Sequence, residues 1–129
     1  MKALVIDDSR AMRNLIGRTL RELGFEVIEA GNGREGLERM RSHGLPAIAL
    51  VDWNMPDMDG LEFVCAVRGD EALRGILLMM VSTETEESQV ARALSSGADE
   101  YLMKPFTREA LAEKLDLLGL EPRPRVEGR

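Results

Sequence analysis

Short apolar runs alternate along this chain with segments in which apolar residues recur at helical spacing. The runs lie at residues 3–6, 47–51 and 76–81, residues 25–30 alternate as a strand does, and residues 100–103 predict a short fifth strand. A parallel strand that is buried on both faces reads as such a run, and the segment between two parallel strands is usually a helix that crosses the sheet. The alternation therefore predicts five successive βα units, which form an α/β fold with a doubly wound parallel sheet and helices on both faces.

The segments between the runs carry the signals of helix ends. Ser9 can cap the first helix and Gly24 can close it, and Thr107 can cap the last helix. Leu37 and Met40 mark a short second helix after a turn at residues 31–33. Further apolar positions predict a third helix around residues 61–68, a fourth around 90–94 that ends at Gly97, and a face of the fifth formed by Leu111, Leu115 and Leu118.

Length and composition indicate one globular domain. The chain has 129 residues, of which 44% are hydrophobic and 31% charged, a balance typical of folded domains of this size. Residues 121–129 have neither helical period nor an apolar run. We therefore expect a domain at residues 1–119, followed by a disordered tail or the start of a linker at residues 120–129.

Charge and hydropathy indicate the cellular location of the protein and the classes of partner that it can bind. The longest apolar run, residues 76–81, has six residues, whereas a membrane-spanning helix needs about 20. The first strand runs directly into acidic residues, which is unlike a signal peptide. A net charge of −6 is poorly suited to direct nucleic-acid binding and well suited to a cation site. We expect a cytoplasmic protein without membrane insertion or direct nucleic-acid binding.

The single cysteine and the single histidine offer little chemistry on their own. Cys65 has apolar neighbours, which predicts a buried thiol on a helix rather than a reactive nucleophile. His43 stands in a turn-like Ser-His-Gly stretch and is expected to be solvated. One histidine also leaves zinc sites and serine-histidine-aspartate catalysis without their usual residues.

Polar residues follow or end the apolar runs, at the edge where parallel strands place their carboxyl ends. They are Asp7, Asp8, Asp52, Ser82 and Lys104. Any one acid could be a helix cap or a solvated loop residue. Three carboxylates brought together repel one another strongly, and oxygen-only ligation favours magnesium over zinc. The set predicts a magnesium and phosphoryl site.

The loop after the third run adds a nucleophile and a further ligand. A carboxylate such as Asp52 beside magnesium can attack phosphorus. Asn54 could give its backbone carbonyl to the metal, although its side chain also suits an ordinary turn. The hydroxyl of Ser82 and the ammonium of Lys104 can each bind a phosphoryl oxygen. The Lys104–Pro105 bond is a candidate for the cis form, and Pro56 and Gly60 are expected to shape the loop.

With these motifs in view, residues 2–119 resemble the receiver domains of bacterial two-component response regulators, in the single-domain CheY-like form. The motifs are VIDDS at 5–9, LVDWNMPDMDG at 50–60, VS at 81–82 and YLMKPF at 101–106. The resemblance implies a flavodoxin-like sheet with strand order 2-1-3-4-5. It also implies that a histidine kinase phosphorylates Asp52, with Mg²⁺ held by Asp7, Asp8, Asp52 and the Asn54 carbonyl.

The resemblance further implies a switch. In the family, the residue at the Ser82 position moves toward the phosphoryl group, an aromatic at the Tyr101 position turns inward, and Lys104 contacts the phosphoryl oxygens. The fourth helix, fifth strand and fifth helix then bind a downstream protein, such as a flagellar motor switch or another effector. The stretch DDSRAMR at 7–13 looks like the chemotaxis branch. We expect this protein to be a monomer. Taken alone, Tyr101 would be a half-buried strand aromatic.

Two side chains beside the site are expected to set how long the phosphoryl group stays. Asn54 and Glu84 can interact with a water that attacks the acyl phosphate. Because they obstruct that water less than bulky groups would, we predict relatively rapid self-dephosphorylation. Thr83 departs mildly from the family, which often has alanine or glycine there, and its extra bulk could restrict the access of a phosphodonor or a phosphatase.

Three other functions compete with the switch. A magnesium phosphohydrolase of the haloacid dehalogenase type also forms an aspartyl phosphate, but it needs a second acid where Asn54 stands. A flavin-binding module would place an anionic phosphate against Asp7 and Asp8, which would repel it. A receiver that acts only as an unphosphorylated scaffold is disfavoured because every expected site residue is present.

Overall fold

Strands and helices alternate throughout the described part of the chain, residues 1–83 and 87–120 of a computed structural model. The strands are β1 Lys2–Ile6, β2 Glu26–Ala30, β3 Ile48–Asp52, β4 Leu77–Ser82 and β5 Glu100–Met103. The helices are α1 Arg10–Glu22, α2 Gly33–His43, α3 Gly60–Arg68, α4 Glu87–Ser96 and α5 Arg108–Leu117. These elements confirm the predicted five βα units. None of the helices among the described residues is both long and apolar enough to cross a membrane.

All five strands pair in parallel in the order β2-β1-β3-β4-β5, which confirms the expected flavodoxin-like topology. The chain runs outward from β1 to β2 and then returns to the other side of β1 as β3. Val5 on β1 is consequently paired with Glu29 on one side and with Leu50 on the other. In such sheets the ligand crevice lies at the carboxyl ends of the strands where the order reverses, which here means the ends of β1 and β3.

The apolar runs of β1, β3 and β4 are continuous because both faces of the sheet are covered there, whereas the edge strand β2 is only partly buried. Leu4 and Ile6 face a layer formed with α2, α3 and α4, whereas Ala3 and Val5 face a layer formed with α1 and α5. The helices contribute one stripe each, exemplified by Phe63 of α3. Alternate residues of a strand point to opposite faces, so a strand between two such layers must be apolar at every position.

Local sequence signals determine where the helices begin. Ser9 Oγ accepts a hydrogen bond from Met12 N at 3.2 Å, and Thr107 Oγ1 accepts one from Ala110 N at 3.0 Å, as predicted for the two caps. Asn32, expected within a turn, instead caps α2 directly through Glu35 N at 2.9 Å. A side-chain oxygen at this position satisfies an amide that has no partner within the helix.

Several expectations about local structure are wrong. Cys65 is exposed rather than buried, because the buried stripe of α3 is formed by Phe63, Val64 and Val67, and residue 65 faces away from it. His43 is exposed as expected, but it is the last residue of α2 and not part of a turn.

The apolar residues at 90, 91, 93 and 94, from which the fourth helix is predicted, line its buried face only in part. Ala93 is buried, whereas Ala91 and Leu94 are exposed. Strand boundaries differ by one residue from those expected for β1, β2, β3 and β4, so that Lys2 begins β1 and Asp52 and Ser82 are the last residues of their strands. Residues 121–129 of the expected tail lie outside the described residues.

Candidate functional site

Three carboxylates meet at the carboxyl ends of β1 and β3. One oxygen each of Asp7, Asp8 and Asp52 lies within 4.8 Å of the others. Asp7 follows β1 and Asp52 ends β3, and these two strands are direct neighbours in the sheet. Asp7 is 1% exposed and Asp52 8% exposed, whereas Asp8 is open to solvent. The cluster therefore has a buried floor and one accessible side.

The Asp7 side chain and backbone are held by neighbours on several sides. Its amide donates to the Ala30 carbonyl at 3.1 Å, which extends the pairing of β1 with β2 by one residue. Its Oδ1 accepts from Ser9 N at 2.8 Å. The residue that caps α1 thus also orients the carboxylate that precedes it.

The ammonium of Lys104 lies between two of the acids. Its Nζ is 3.0 Å from Asp7 Oδ2 and 3.2 Å from Asp52 Oδ1, and the side chain is only 11% exposed. The backbone of Lys104 is anchored to β4, because its amide donates to the Ser82 carbonyl at 2.8 Å. The Lys104–Pro105 peptide bond is cis.

The charges of the site shift the pKa values of two of its groups. Burial raises the pKa of Asp52, and the neighbouring charges of Asp7 and Asp8 raise it further against the opposing effect of Lys104. Burial alone would lower the pKa of Lys104, but its hydrogen bonds and charge interactions with Asp7 and Asp52 together outweigh burial and raise it. Burial is the largest cause of the Asp52 shift, and repulsion among the three carboxylates acts in the same direction.

The donor set fits a hard divalent cation. Three carboxylates against one ammonium leave a net charge of about −2 when all the groups are ionised. Carboxylate oxygens are the preferred ligands of Mg²⁺, which commonly keeps several of its waters. The exposed side at Asp8 leaves room for those waters.

A serine and two aromatic residues extend from the site into the core. Ser82 is fully buried at the end of β4, and Tyr101 is 5% exposed on β5. The Tyr101 ring meets the Trp53 ring edge-on, with centroids 6.5 Å apart. Tyr101 is therefore buried and not half-buried, and it connects β5 to the residue that follows Asp52.

The loop between β3 and α3 packs closely on the strand end. Gly60 N donates to the Trp53 carbonyl at 2.8 Å, and a Cβ on Gly60 would lie 2.4 Å from the Asp52 carbonyl oxygen. Only glycine fits that approach, which agrees with the expected shaping role of this residue. Asn54 is exposed on the same loop. Glu84 lies outside the described residues.

Two features near the site were not found by sequence reasoning. Arg13, on the second turn of α1, donates from Nη1 to the Asp7 carbonyl oxygen at 2.7 Å. In the sequence, the only indication of this contact was that Arg13 lies six residues after Asp7. The second feature is a cleft of about 440 Å³ beside β5, lined by Glu87, Val90, Ala91, Leu94 and Met103.

Comparison with known proteins identifies the family. The response regulator receiver domain matches residues 3–116 of this chain. Chemotaxis protein CheY1 of Helicobacter pylori is 42% identical over 119 residues, which is 92% of this chain and 96% of that protein. A CheY homolog of Campylobacter jejuni is 42% identical over 121 residues, covering 92% and 93%. The structure of Vibrio cholerae CheY4 superposes with a TM-score of 0.84 at 35% identity, covering 90% and 96%.

The chain belongs to the response regulator receiver domain family. It is a receiver of the CheY type found in chemotaxis response regulators, and it has the size of a single-domain member. CheY-type receivers are signalling proteins and not classical enzymes, and they act with histidine kinases and downstream targets. Receiver domains bind Mg²⁺ at an acidic pocket, and the Asp7, Asp8 and Asp52 cluster is the acidic pocket of this chain.

Proposed function

We propose that residues 1–119 form a phosphoacceptor switch in which Asp52 receives a phosphoryl group from a histidine kinase. The observation that carries the proposal is the placement of the Lys104 ammonium on Asp7 and Asp52 within a three-carboxylate cluster. A permanent cation beside a potential nucleophile is suited to bind the oxygens of an incoming phosphoryl group. Aspartates buried for structural reasons alone would not need the exposed third acid.

Asp7, Asp8, Asp52 and the backbone carbonyl of Asn54 are the groups that would hold Mg²⁺. When bound, Mg²⁺ neutralises charge on the phosphoryl oxygens. Asp7 is buried and fixed by Ser9 and Ala30, so its carboxylate is oriented before any ligand arrives. Such orientation lowers the cost of assembling the site.

The chemical step is a transfer of phosphorus between two protein side chains. A carboxylate oxygen of Asp52 forms a bond to phosphorus as the P–N bond of phosphohistidine breaks, and the electron pair of that bond returns to the imidazole. Lys104 exchanges its carboxylate contacts for a phosphoryl oxygen, and the Ser82 hydroxyl binds a second one. Water later hydrolyses the acyl phosphate, and Asn54 and Glu84 leave room for its attack.

The signal would leave through the surface of α4, β5 and α5. The Tyr101 ring packs on Trp53, which is covalently next to Asp52, so a change at Asp52 can reach β5 through this contact. The cleft lined by residues of α4 and by Met103 borders the same surface. We propose that this face binds a downstream protein of a chemotaxis-type pathway, a flagellar motor switch or another effector, with the protein acting as a cytoplasmic monomer.

The test is the mass of the intact protein after incubation with acetyl phosphate and Mg²⁺. We expect a gain of one phosphoryl group that disappears with a chelator and in Asp52→Asn. Asp57→Asn is the matched control, because Asp57 is exposed in the same loop with a φ of 66°, which asparagine tolerates. This control should still gain the group.

Failure of the unmodified protein to gain mass, while it still binds Mg²⁺, would overturn the phosphoacceptor proposal in favour of a scaffold. Turnover of a generic phosphate ester would instead revive the phosphohydrolase. The proposed rapid self-dephosphorylation is tested on the same material with radiolabelled phosphate. A label that persists on the protein for many hours in the presence of Mg²⁺ would contradict it.

A further inference from the structure

We propose that Arg13 is a positioning residue for the acids of the metal site. It touches neither the proposed ligand oxygens nor the phosphoacceptor, and acts through the backbone of the turn between β1 and α1. That turn carries both Asp7 and Asp8. The inference rests on the proposed function, because it concerns how well these acids hold a divalent cation.

Arg13 contacts the backbone carbonyl of Asp7. Arg13 Nη1 donates to the Asp7 carbonyl oxygen at 2.7 Å, a short distance typical of a charge-assisted hydrogen bond. The Asp7 amide is held by Ala30, and its side-chain oxygens are held by Ser9 and Lys104. Arg13 therefore completes the fixation of Asp7 and sets the direction in which the chain continues to Asp8.

The position of the Asp8 carboxylate depends on this backbone direction more than the position of the Asp7 carboxylate does. Asp7 is buried, whereas the Asp8 side chain is exposed. An exposed side chain has little packing to hold it, so its position follows the backbone beneath it. The Asp7 carbonyl belongs to the peptide plane that joins the two acids, and a rotation of this plane would move the Asp8 carboxylate out of the cluster.

Glu29 holds the guanidinium in place. Arg13 Nε is 3.2 Å from Glu29 Oε1, and Arg21 Nη2 is 3.4 Å from the second oxygen, Glu29 Oε2. The Arg13 side chain is 19% exposed and that of Arg21 is 53% exposed. Two arginines thus share one carboxylate, and only Arg13 continues from it to the acid turn.

Positioning and simple electrostatics predict opposite effects of removing Arg13. A positive charge near the acid cluster repels an incoming dication, so its loss would tighten Mg²⁺ binding if charge alone mattered. Loss of a positioning contact would weaken binding, because groups that orient metal ligands typically contribute about 10- to 100-fold to affinity. The sign of the change therefore separates the two roles.

The experiment is a calorimetric titration with Mg²⁺ alone on the full chain and four variants. We expect Arg13→Ala to bind Mg²⁺ at least about tenfold more weakly than the unmodified protein. Arg13→Lys should recover part of the affinity, because an ammonium can still donate to the Asp7 carbonyl. Arg21→Ala is the matched control, since it removes the other arginine of Glu29, and it should change affinity by less than about twofold. Glu29→Gln should fall between them.

Each result bears on one proposal. Unchanged or tighter binding by Arg13→Ala would overturn the positioning role, as would an equal loss in Arg21→Ala. If Arg13→Ala does not fold, as judged by circular dichroism, a full affinity in Arg13→Met, which keeps the stem without a donor, would also overturn it. Absence of binding by the unmodified protein would contradict the proposed metal site itself, which distinguishes that failure from failure of the Arg13 inference.

Discussion

The Lys104 ammonium interacts with the same carboxylates that a dication would bind. Its ammonium contacts Asp7 and Asp52, two of the three acids in the cluster. A metal entering the site would meet carboxylates that are already partly neutralised, and Lys104 would have to share or release them. The lysine therefore stabilises the acids without metal while lowering their affinity for it. Both effects, on the stability of the acids and on their affinity for metal, involve only side chains at one edge of the sheet.

Replacing Lys104 tests that competition. We expect Lys104→Met to bind Mg²⁺ more tightly, by about tenfold, because removal of a unit charge at this distance is worth roughly 1–4 kcal/mol at the effective dielectric constants of protein surfaces. Fluorescence of Trp53, next to Asp52, is a suitable measurement. Lys114→Met is the control, because it breaks a comparable 3.0 Å ion pair with Glu100 away from the acids. Weaker binding by Lys104→Met would contradict the competition.

Some residues of the site could be placed from the sequence and others could not. Asp7, Asp52 and Lys104 could be placed together from sequence, since parallel strands bring their carboxyl ends to one edge. The burial of Tyr101 and the contact of Arg13 with the Asp7 carbonyl could not be predicted in this way. Both depend on side-chain rotamers chosen by neighbours distant in sequence, and the pattern of apolar residues carries no information about them.

At the scale of elements, Arg68 joins four of them at the edge opposite the acids. From the end of α3, its Nε donates to the Gly97 carbonyl at 2.9 Å and its Nη1 to the Ile76 carbonyl at 2.7 Å. Its Nη2 lies 2.7 Å from Asp99 Oδ2, which also accepts from Leu78 N at 2.8 Å. The carboxyl end of α4 is thereby fixed to the sheet, so a rearrangement near Ser82 would act mainly on the amino end of α4.

Loss of this arginine should destabilise the fold. We expect Arg68→Met to lower the free energy of unfolding by roughly 2–4 kcal/mol, because several carbonyls and a carboxylate lose a charged donor at once. Urea denaturation is the measurement. Arg74→Met provides the control, since Arg74 is exposed and pairs with Glu71 at 3.6 Å, a contact worth less than about 1 kcal/mol. Equal losses in the two variants would argue against a linking role.

The packing of the β3–α3 loop gives a second prediction at this scale. Gly60→Ala would force a Cβ to within 2.4 Å of the Asp52 carbonyl oxygen, and overpacking of this kind costs about 1–3 kcal/mol. Gly75→Ala is its control, because nothing lies within 4 Å of a Cβ there. Thermal denaturation should show a lower Tm for Gly60→Ala and little change for Gly75→Ala. An unchanged Tm in both would show that the loop yields easily.

For the whole molecule, the order of elements was far more predictable than their exposed faces. The runs of β1, β3 and β4 are buried on both faces of the sheet, and with helical segments between five strands they leave few folds other than a doubly wound sheet. The strand order, by contrast, followed from the family resemblance. Cys65 shows the limit. A nine-residue helix such as α3 has room for about two and a half turns, too few for apolar periodicity alone to distinguish an inward from an outward position.

Bringing the acids together at one edge of the sheet should lower the stability of the whole folded chain when no cation is bound. Because burial and the charge of Asp7 raise the pKa of Asp52, ionisation of this carboxyl is less favourable in the folded than in the unfolded chain. Asp52→Asn should therefore unfold at higher urea concentration than the unmodified protein in the presence of a chelator. That advantage should be complete at pH values above the raised pKa and vanish below the ordinary value of 3.8.

Magnesium should reverse the order of stability. At a Mg²⁺ concentration a hundredfold above Kd, the unmodified protein should gain about 2.7 kcal/mol, and Asp52→Asn should gain clearly less because it has lost a charged ligand. Asp57→Asn, which changes an exposed acid in the same loop, should respond to Mg²⁺ like the unmodified protein. If Asp52→Asn were the less stable protein in chelator, the pairing of Asp52 with Lys104 would outweigh burial and repulsion, and the acids would not be a source of strain that a cation relieves.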